Sequence, residues 1–214
     1  MKADVKICGL STGETAQAAA DAGAAYLGFM FFEPSPRHLT FDAARALAQE
    51  LPSGPERVGV FVNASDRMID EATDILGLDW LQFHGQETPE EVLRLKSRTG
   101  LKAMKATGVS SAADIEAAKP YYGVADAMLF DAKPPKGSLL PGGNAVSFPW
   151  QVMQGASLPE TWLLAGGLKP ENVAEAIKTS GAKILDVSSG VETSPGIKSK
   201  SLIEAFLRAA KAVS

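Results

Sequence analysis

Eight short apolar runs alternate with eight helix-patterned segments along this chain of 214 residues, and no stretch between them reads as an interdomain linker. The apolar runs fall at residues 5–10, 26–32, 57–62, 78–83, 101–105, 127–130, 161–165 and 183–187. Nearly continuous apolar runs mark strands covered on both faces, and strands separated by helices pair in parallel through right-handed crossovers. The helical segments are expected at 14–22, 41–51, 65–76, from Pro89, at 111–120, briefly at 150–153, and at 170–179 and 201–210. Several starts carry capping chemistry: Thr12 or Ser11, Ser65, Thr88 with Glu91 three residues on, and Ser201 with Glu204. Eight strand-then-helix units close into an α/β (β/α)8 barrel, and one domain is expected over residues 1–214. An open doubly wound sheet is the second architecture, and the first strand lacks the Gly-rich dinucleotide turn that would support it.

Charge and cysteine usage narrow the partners. The formal net charge is −4 and there is no basic run, which argues against nucleic acid or an anionic membrane as the main partner. A small anionic substrate stays open, because local dipoles can hold it. The longest apolar segment, residues 24–32, is too short to span a bilayer. The N-terminus runs into a strand without a signal-like apolar stretch, and one cysteine cannot form an internal disulfide. A soluble, cytoplasmic protein is expected. The outer helix faces show no patch that decides between a monomer and a homodimer.

In a barrel the carboxyl ends of all strands share one face, so their end residues converge. Here they are Cys8, Arg37 in the following loop, Asn63, His84, Lys105 or Thr107, Asp131, Gly166-Gly167 and Ser188-Ser189-Gly190. The last two groups follow strands seven and eight, where barrels commonly build a phosphate site from bare backbone N–H groups. Gly-Gly after a strand is otherwise plain turn chemistry. Asp131 suits a general acid where burial keeps its proton, or else an N-cap or an ion pair with Lys133. The guanidinium fork of Arg37 suits a carboxylate or phosphate. A lone cysteine is most often a small buried hydrophobe, and only its place at a strand end makes Cys8 a candidate base. His84 is as readily a structural histidine as an active-site one. Two histidines and one cysteine, widely scattered, give no metal-ligand spacing.

Six pieces of sequence, in order, carry a family resemblance. They are Lys6-Ile7-Cys8-Gly9-Leu10, Gly28-Phe29 with Ser35-Pro36-Arg37, and Gln82-Phe83-His84-Gly85. Leu129-Phe130-Asp131 with Gly142-Gly143 follows, then Leu164-Ala165-Gly166-Gly167-Leu168 with Pro170-Glu171-Asn172-Val173. Asp186-Val187-Ser188-Ser189-Gly190-Val191-Glu192 closes the set. From residue 4 to about 198 the chain resembles the phosphoribosylanthranilate isomerases of tryptophan biosynthesis. The resemblance implies a (β/α)8 barrel that isomerises N-(5-phosphoribosyl)anthranilate by an Amadori rearrangement, without cofactor or metal. It implies Cys8 as general base and Asp131 as general acid. Arg37 would hold the anthranilate carboxylate and His84 would join the binding residues. Gly166, Gly167, Ser188, Ser189 and Gly190 would hold the ribose phosphate. Lys6, two residues back on the same strand face, is a candidate to lower the Cys8 thiol.

The chain departs from the family pattern at Ala145, at Pro149 in place of a helix-capping Asp, at Ser199 in place of an Asp, and at Phe83 in place of a Leu. These put the long loop and some helix starts in question, and with them a second reading: a phosphate-sugar-binding barrel without turnover. The loop, residues 132–147, is long enough to serve as a lid.

Overall fold

Branched and aromatic side chains dominate the eight inner strands, where both faces must be covered. In the structure, a computed structural model describing residues 3–133, 137, 142 and 147–213, these strands form a closed barrel in sequence order. They are β1 (Asp4–Cys8), β2 (Tyr26–Phe31), β3 (Glu56–Phe61), β4 (Trp80–Phe83), β5 (Lys102–Val109), β6 (Ala127–Ala132), β7 (Trp162–Leu164) and β8 (Ile184–Val187). All neighbours pair in parallel, and β8 closes on β1 with Lys6 in register with Asp186. Alternation sends one set of side chains inward, where Val58, Trp80, Met104, Ala106, Leu129, Leu163 and Ala165 fill the lower barrel. The other set meets the helices in a larger apolar layer that includes Leu27, Phe29, Phe61, Leu81, Phe130, Leu185 and Phe206.

The helices are α1 (Gly13–Asp21), α2 (Phe41–Ala48), α3 (Asp66–Leu76), α4 (Pro89–Thr99), α5 (Ala112–Ala117), α6 (Val173–Ser180) and α7 (Lys200–Lys211). Thr12, Thr40 and Ser65 cap the first three through their hydroxyls, and Thr88 with Glu91 forms the expected capping box on α4. The expected box of Ser201 and Glu204 does not form. Ser199 caps α7, accepting from the Leu202 N–H, so it fills the place of the Asp it replaces. Helix α6 starts at Val173, three residues later than expected, because the Asn172 side chain is committed elsewhere. Its oxygen accepts from the Lys169 N–H and its nitrogen donates to the Gly167 carbonyl.

Between β6 and β7 the described residues hold only a 3-10 turn, Trp150–Met153, in place of a full helix. Pro149 precedes it and offers no capping side chain. Strand β5 runs four residues past its expected end because β6 pairs with it as far as Val109–Ala132. A small hairpin of β9 (Glu192–Ser194) and β10 (Ile197–Lys198) follows β8 and was not apparent in the sequence. Most of the long loop, including Gly143 and Ala145, lies outside the described residues, and with it the lid expectation.

Candidate active site

The carboxyl ends of the strands enclose a pocket of about 470 Å³ including its open mouth. Cys8, Arg37, Gln82, His84, Asp131, Asp186 and Ser188 line it together with apolar Met30, Phe32 and Val62. Five of the expected site residues therefore meet in one space, though they are spread over 181 sequence positions, 8 to 188.

Residues two apart on a strand share a face, and this builds the wall around Cys8. Lys6 and Cys8 come from β1, and Asp186 and Ser188 from β8 and its end. The Lys6 Nζ donates to Asp186 Oδ1 at 2.8 Å inside the barrel. Burial pulls the Lys6 ammonium down, but Asp186 and the Cys8 sulfur outweigh it and leave the group at about 12. Gly28, beside Cys8 in register, leaves the room for this pair: a Cβ there would lie 3.0 Å from Lys6 Nζ and 3.1 Å from Cys8 Sγ. The Ser188 hydroxyl donates to the Cys8 carbonyl at 3.0 Å.

The thiol itself moves opposite to the sequence expectation. Burial pushes it above its ordinary value of 9.0, while Lys6 and Lys198 pull down and Asp186 adds to the rise. Lys6 acts on the thiol in the expected direction, but desolvation of the thiolate is the larger effect.

Across the pocket, Asp131, next to last in β6, has its Oδ1 accepting from the Ala132 N–H at 2.8 Å. It does not pair with Lys133, which goes to Asp114 instead. Asp131 Oδ2 lies 3.6 Å from His84 Nε2, and Gln82 reaches the other ring nitrogen, Nδ1, at 3.0 Å. The Gly142 backbone crosses above both groups: a Cβ there would lie 2.5 Å from Asp131 Oδ2 and 2.6 Å from His84 Nε2.

Arg37 is buried and its fork is already engaged. Nε and Nη2 donate to the two oxygens of Glu192 at 2.7 and 2.9 Å. Lys198 shares Glu192 Oε1 at 2.6 Å and also donates to the Ser188 carbonyl and hydroxyl. Burial raises Glu192, but Arg37 and Lys198 overcome it and hold the carboxylate below its usual range; burial likewise leaves Lys198 below its own. Strands β9 and β10 supply these two residues, so the unforeseen hairpin fixes the arginine.

The Gly and Ser loops lie beside the pocket instead of lining it, apart from Ser188. Gly166 and Gly167 have φ of 88° and 63°, a left-handed backbone that glycine accepts freely. A side chain on Gly166 would meet the Ala132 nitrogen, and one on Gly190 would meet the Leu168 carbonyl, so the two loops pack closely. Among the described residues, the N–H groups of Gly167, Ser189 and Gly190 have no protein acceptor. Lys105, which falls inside β5, and Asn63, just after β3, are used elsewhere. Lys105 pairs with Glu87 at 2.8 Å, and Glu87 and Asn63 together brace the turn after His84.

Gln82, Asp186, Glu192 and Lys198 joined the site without a role having been read for them. Gln82 and Asp186 were detectable as polar residues two before His84 and Ser188 in otherwise apolar strands. Glu192 closes the last of the motifs that carry the resemblance, whereas for Lys198 no local signal exists.

The barrel and its pocket at the strand ends define the class: a (β/α)8 enzyme with titratable groups on facing walls. Residues 5–209 match the family model described as N-(5'phosphoribosyl)anthranilate (PRA) isomerase. The chain is 50% identical over 211 residues to the N-(5'-phosphoribosyl)anthranilate isomerase of Paramagnetospirillum magneticum, covering 99% of this chain and 98% of that protein. It is 49% identical over 212 residues to that of Paracoccus denitrificans, covering 99% of each. Among solved structures, phosphoribosyl anthranilate isomerase from Thermotoga maritima superposes with a TM-score of 0.87 at 35% identity over 98% of both chains. A phosphoribosyl anthranilate isomerase in complex with reduced 1-(o-carboxyphenylamino)-1-deoxyribulose 5-phosphate gives 0.84 at 34%, again over 98% of both. The chain belongs to the phosphoribosylanthranilate isomerase family. It is an isomerase of tryptophan biosynthesis.

Proposed function

We propose that Asp131 and Cys8 carry the isomerisation of N-(5-phosphoribosyl)anthranilate as general acid and general base. The observation that supports this is their meeting in one pocket from strands that are not neighbours, β6 and β1, with binding groups between them. Asp131 gives its proton to the furanose ring oxygen. The C1–O bond breaks toward that oxygen, and the amine lone pair forms a C1=N iminium. Cys8, as thiolate, removes the proton from C2; the C–H electrons form C1=C2 and nitrogen regains its pair. Protonation at C1 with loss of the C2 hydroxyl proton then gives the ketone.

Both ends of the substrate are held so that the sugar lies between acid and base. Gly166, Gly167, Ser188, Ser189 and Gly190 take the phosphate, the free N–H groups of Gly167, Ser189 and Gly190 serving an anion without desolvating a charged side chain. Arg37 takes the anthranilate carboxylate through Nη1, the fork nitrogen that Glu192 leaves over. The bound isomerase complex among the similar structures supports a phosphorylated small molecule as ligand. We read residues 1–214 as one unit acting in the cytoplasm; no described helix is long and apolar enough to cross a membrane.

The test is a fluorescence assay of phosphoribosylanthranilate consumption by the wild type beside Asp131→Asn. Turnover by the first and a loss of at least about a hundredfold in the second are expected for a general acid. Comparable rates would remove Asp131 from that role.

A further inference from the structure

We propose that Gln82 is a positioning residue that holds the His84 ring as its Nε2–H tautomer, aiming that N–H at the carboxyl oxygen from which Asp131 loses its proton. The inference rests on Asp131 being the acid. Gln82 is fully buried on β4, and its side-chain nitrogen reaches His84 Nδ1 at 3.0 Å while its oxygen is buried without a partner among the described residues. A buried carboxamide with one unpaired end is costly, so what that end gives up must be set against what the other end does.

The orientation follows from comparing the two ways of placing the amide. With nitrogen toward His84, an acceptor oxygen is left unpaired. Reversed, the nitrogen with both its N–H donors would be stranded instead, and orphaned buried N–H groups are rarer than under-satisfied carbonyls. The amide therefore donates to Nδ1, which must then be the unprotonated nitrogen, and the ring proton lies on Nε2. That proton faces Asp131 Oδ2 across 3.6 Å, beyond hydrogen-bond length but closed by a shift of half an ångström or so. Asp131 Oδ1 already accepts from the Ala132 N–H, so Oδ2 is the oxygen left to give up a proton. When it does, Nε2–H meets the new carboxylate and stabilises it. The opposite tautomer would turn a lone pair toward that charge.

The chain has only two histidines, His38 and His84, so ¹⁵N spectroscopy of histidine-labelled protein reads the tautomer directly, with His84→Asn assigning the signals. Wild type should show the Nε2–H form at His84. Gln82→Leu should release the second tautomer and lower kcat about tenfold, the effect of one lost hydrogen bond, with KM nearly unchanged. Gln82→Glu keeps the shape and, as a carboxylate, can only accept, so above the pH at which it ionises it should draw the proton to Nδ1 and also lower kcat; it serves where the leucine variant does not fold. An Nδ1–H ring in the wild type overturns the proposal, whatever Asp131→Asn does. So does a tautomer unmoved by either variant, or one that moves while kcat stays at the wild-type value. Full activity of Asp131→Asn beside an Nε2–H wild type would instead remove the acid and leave the tautomer assignment intact.

Discussion

The two walls of the pocket are built on opposite electrostatic plans. Around Cys8 the charges are many and paired: Lys6 with Asp186, and Glu192 with both Lys198 and Arg37. Around Asp131 the described neighbours are uncharged or weakly basic: Gln82, His84 and the Gly142 backbone. A base that must become an anion inside a barrel needs cations nearby, and those cations need their own counter-ions to stay folded. An acid that must keep its proton until the ring opens is better served by neighbours without full charge. The difference between the walls matches the division of labour proposed for them.

The comparison breaks most visibly at the base. Cys8→Ser should lower turnover by about a thousandfold or more, within the range for losing a proton-transfer group, while the fold stays intact. Near-normal activity of the folded variant would take Cys8 out of the mechanism and leave the charged wall without a purpose.

Lys6→Met sharpens the electrostatic part. It strands Asp186 in the barrel, at a cost of about 3–5 kcal/mol in denaturant unfolding. Lys6 titrates at about 12 folded against 10.5 for the free group, so its contribution is whole below 10.5 and fades as pH rises through 12; the loss should therefore be constant across neutral pH. The variant also removes the nearest charge favouring thiolate and exposes Cys8 to Asp186. The thiolate absorbance of this single-cysteine chain should then appear at higher pH than in wild type, and the rising limb of kcat/KM should follow. A titration unmoved by the substitution would mean that Lys6 only holds Asp186.

Arg37→Ala tests the rim between the walls and should have the smallest effect on chemistry. KM should rise about tenfold to a hundredfold, the worth of a charge-assisted hydrogen bond, with kcat changed far less. A fall in kcat alone would give the arginine a transition-state role. Replacing Glu192, which orients it, should move KM in the same direction.

Much of this was legible from the sequence. Eight apolar runs separated by helical segments point to parallel strands, because strands buried on both faces and joined by helices pair in parallel. Their number, together with the missing dinucleotide turn, favours closure into a barrel over an open sheet. Strand ends then share one face, which places Cys8, His84, Asp131 and Ser188 together before any coordinate is known. Local capping chemistry carried Thr12, Ser65 and Thr88 for the same reason: a hydroxyl and an N–H three residues on meet through backbone geometry alone.

What only the tertiary structure decided depends on groups far apart in the chain. The direction of the Cys8 shift is a balance between burial and charges contributed by β1, β8 and the β9–β10 hairpin, and no six-residue window contains it. Arg37 is oriented by Glu192, 155 positions away. The reach of β5 was set by its partner β6, and the start of α6 by an asparagine drawn to the glycine loop. The sequence determines which faces are apolar and which residues end the strands; desolvation and long-range pairing, which exist only once the barrel has closed, set the protonation and aim of the groups inside it.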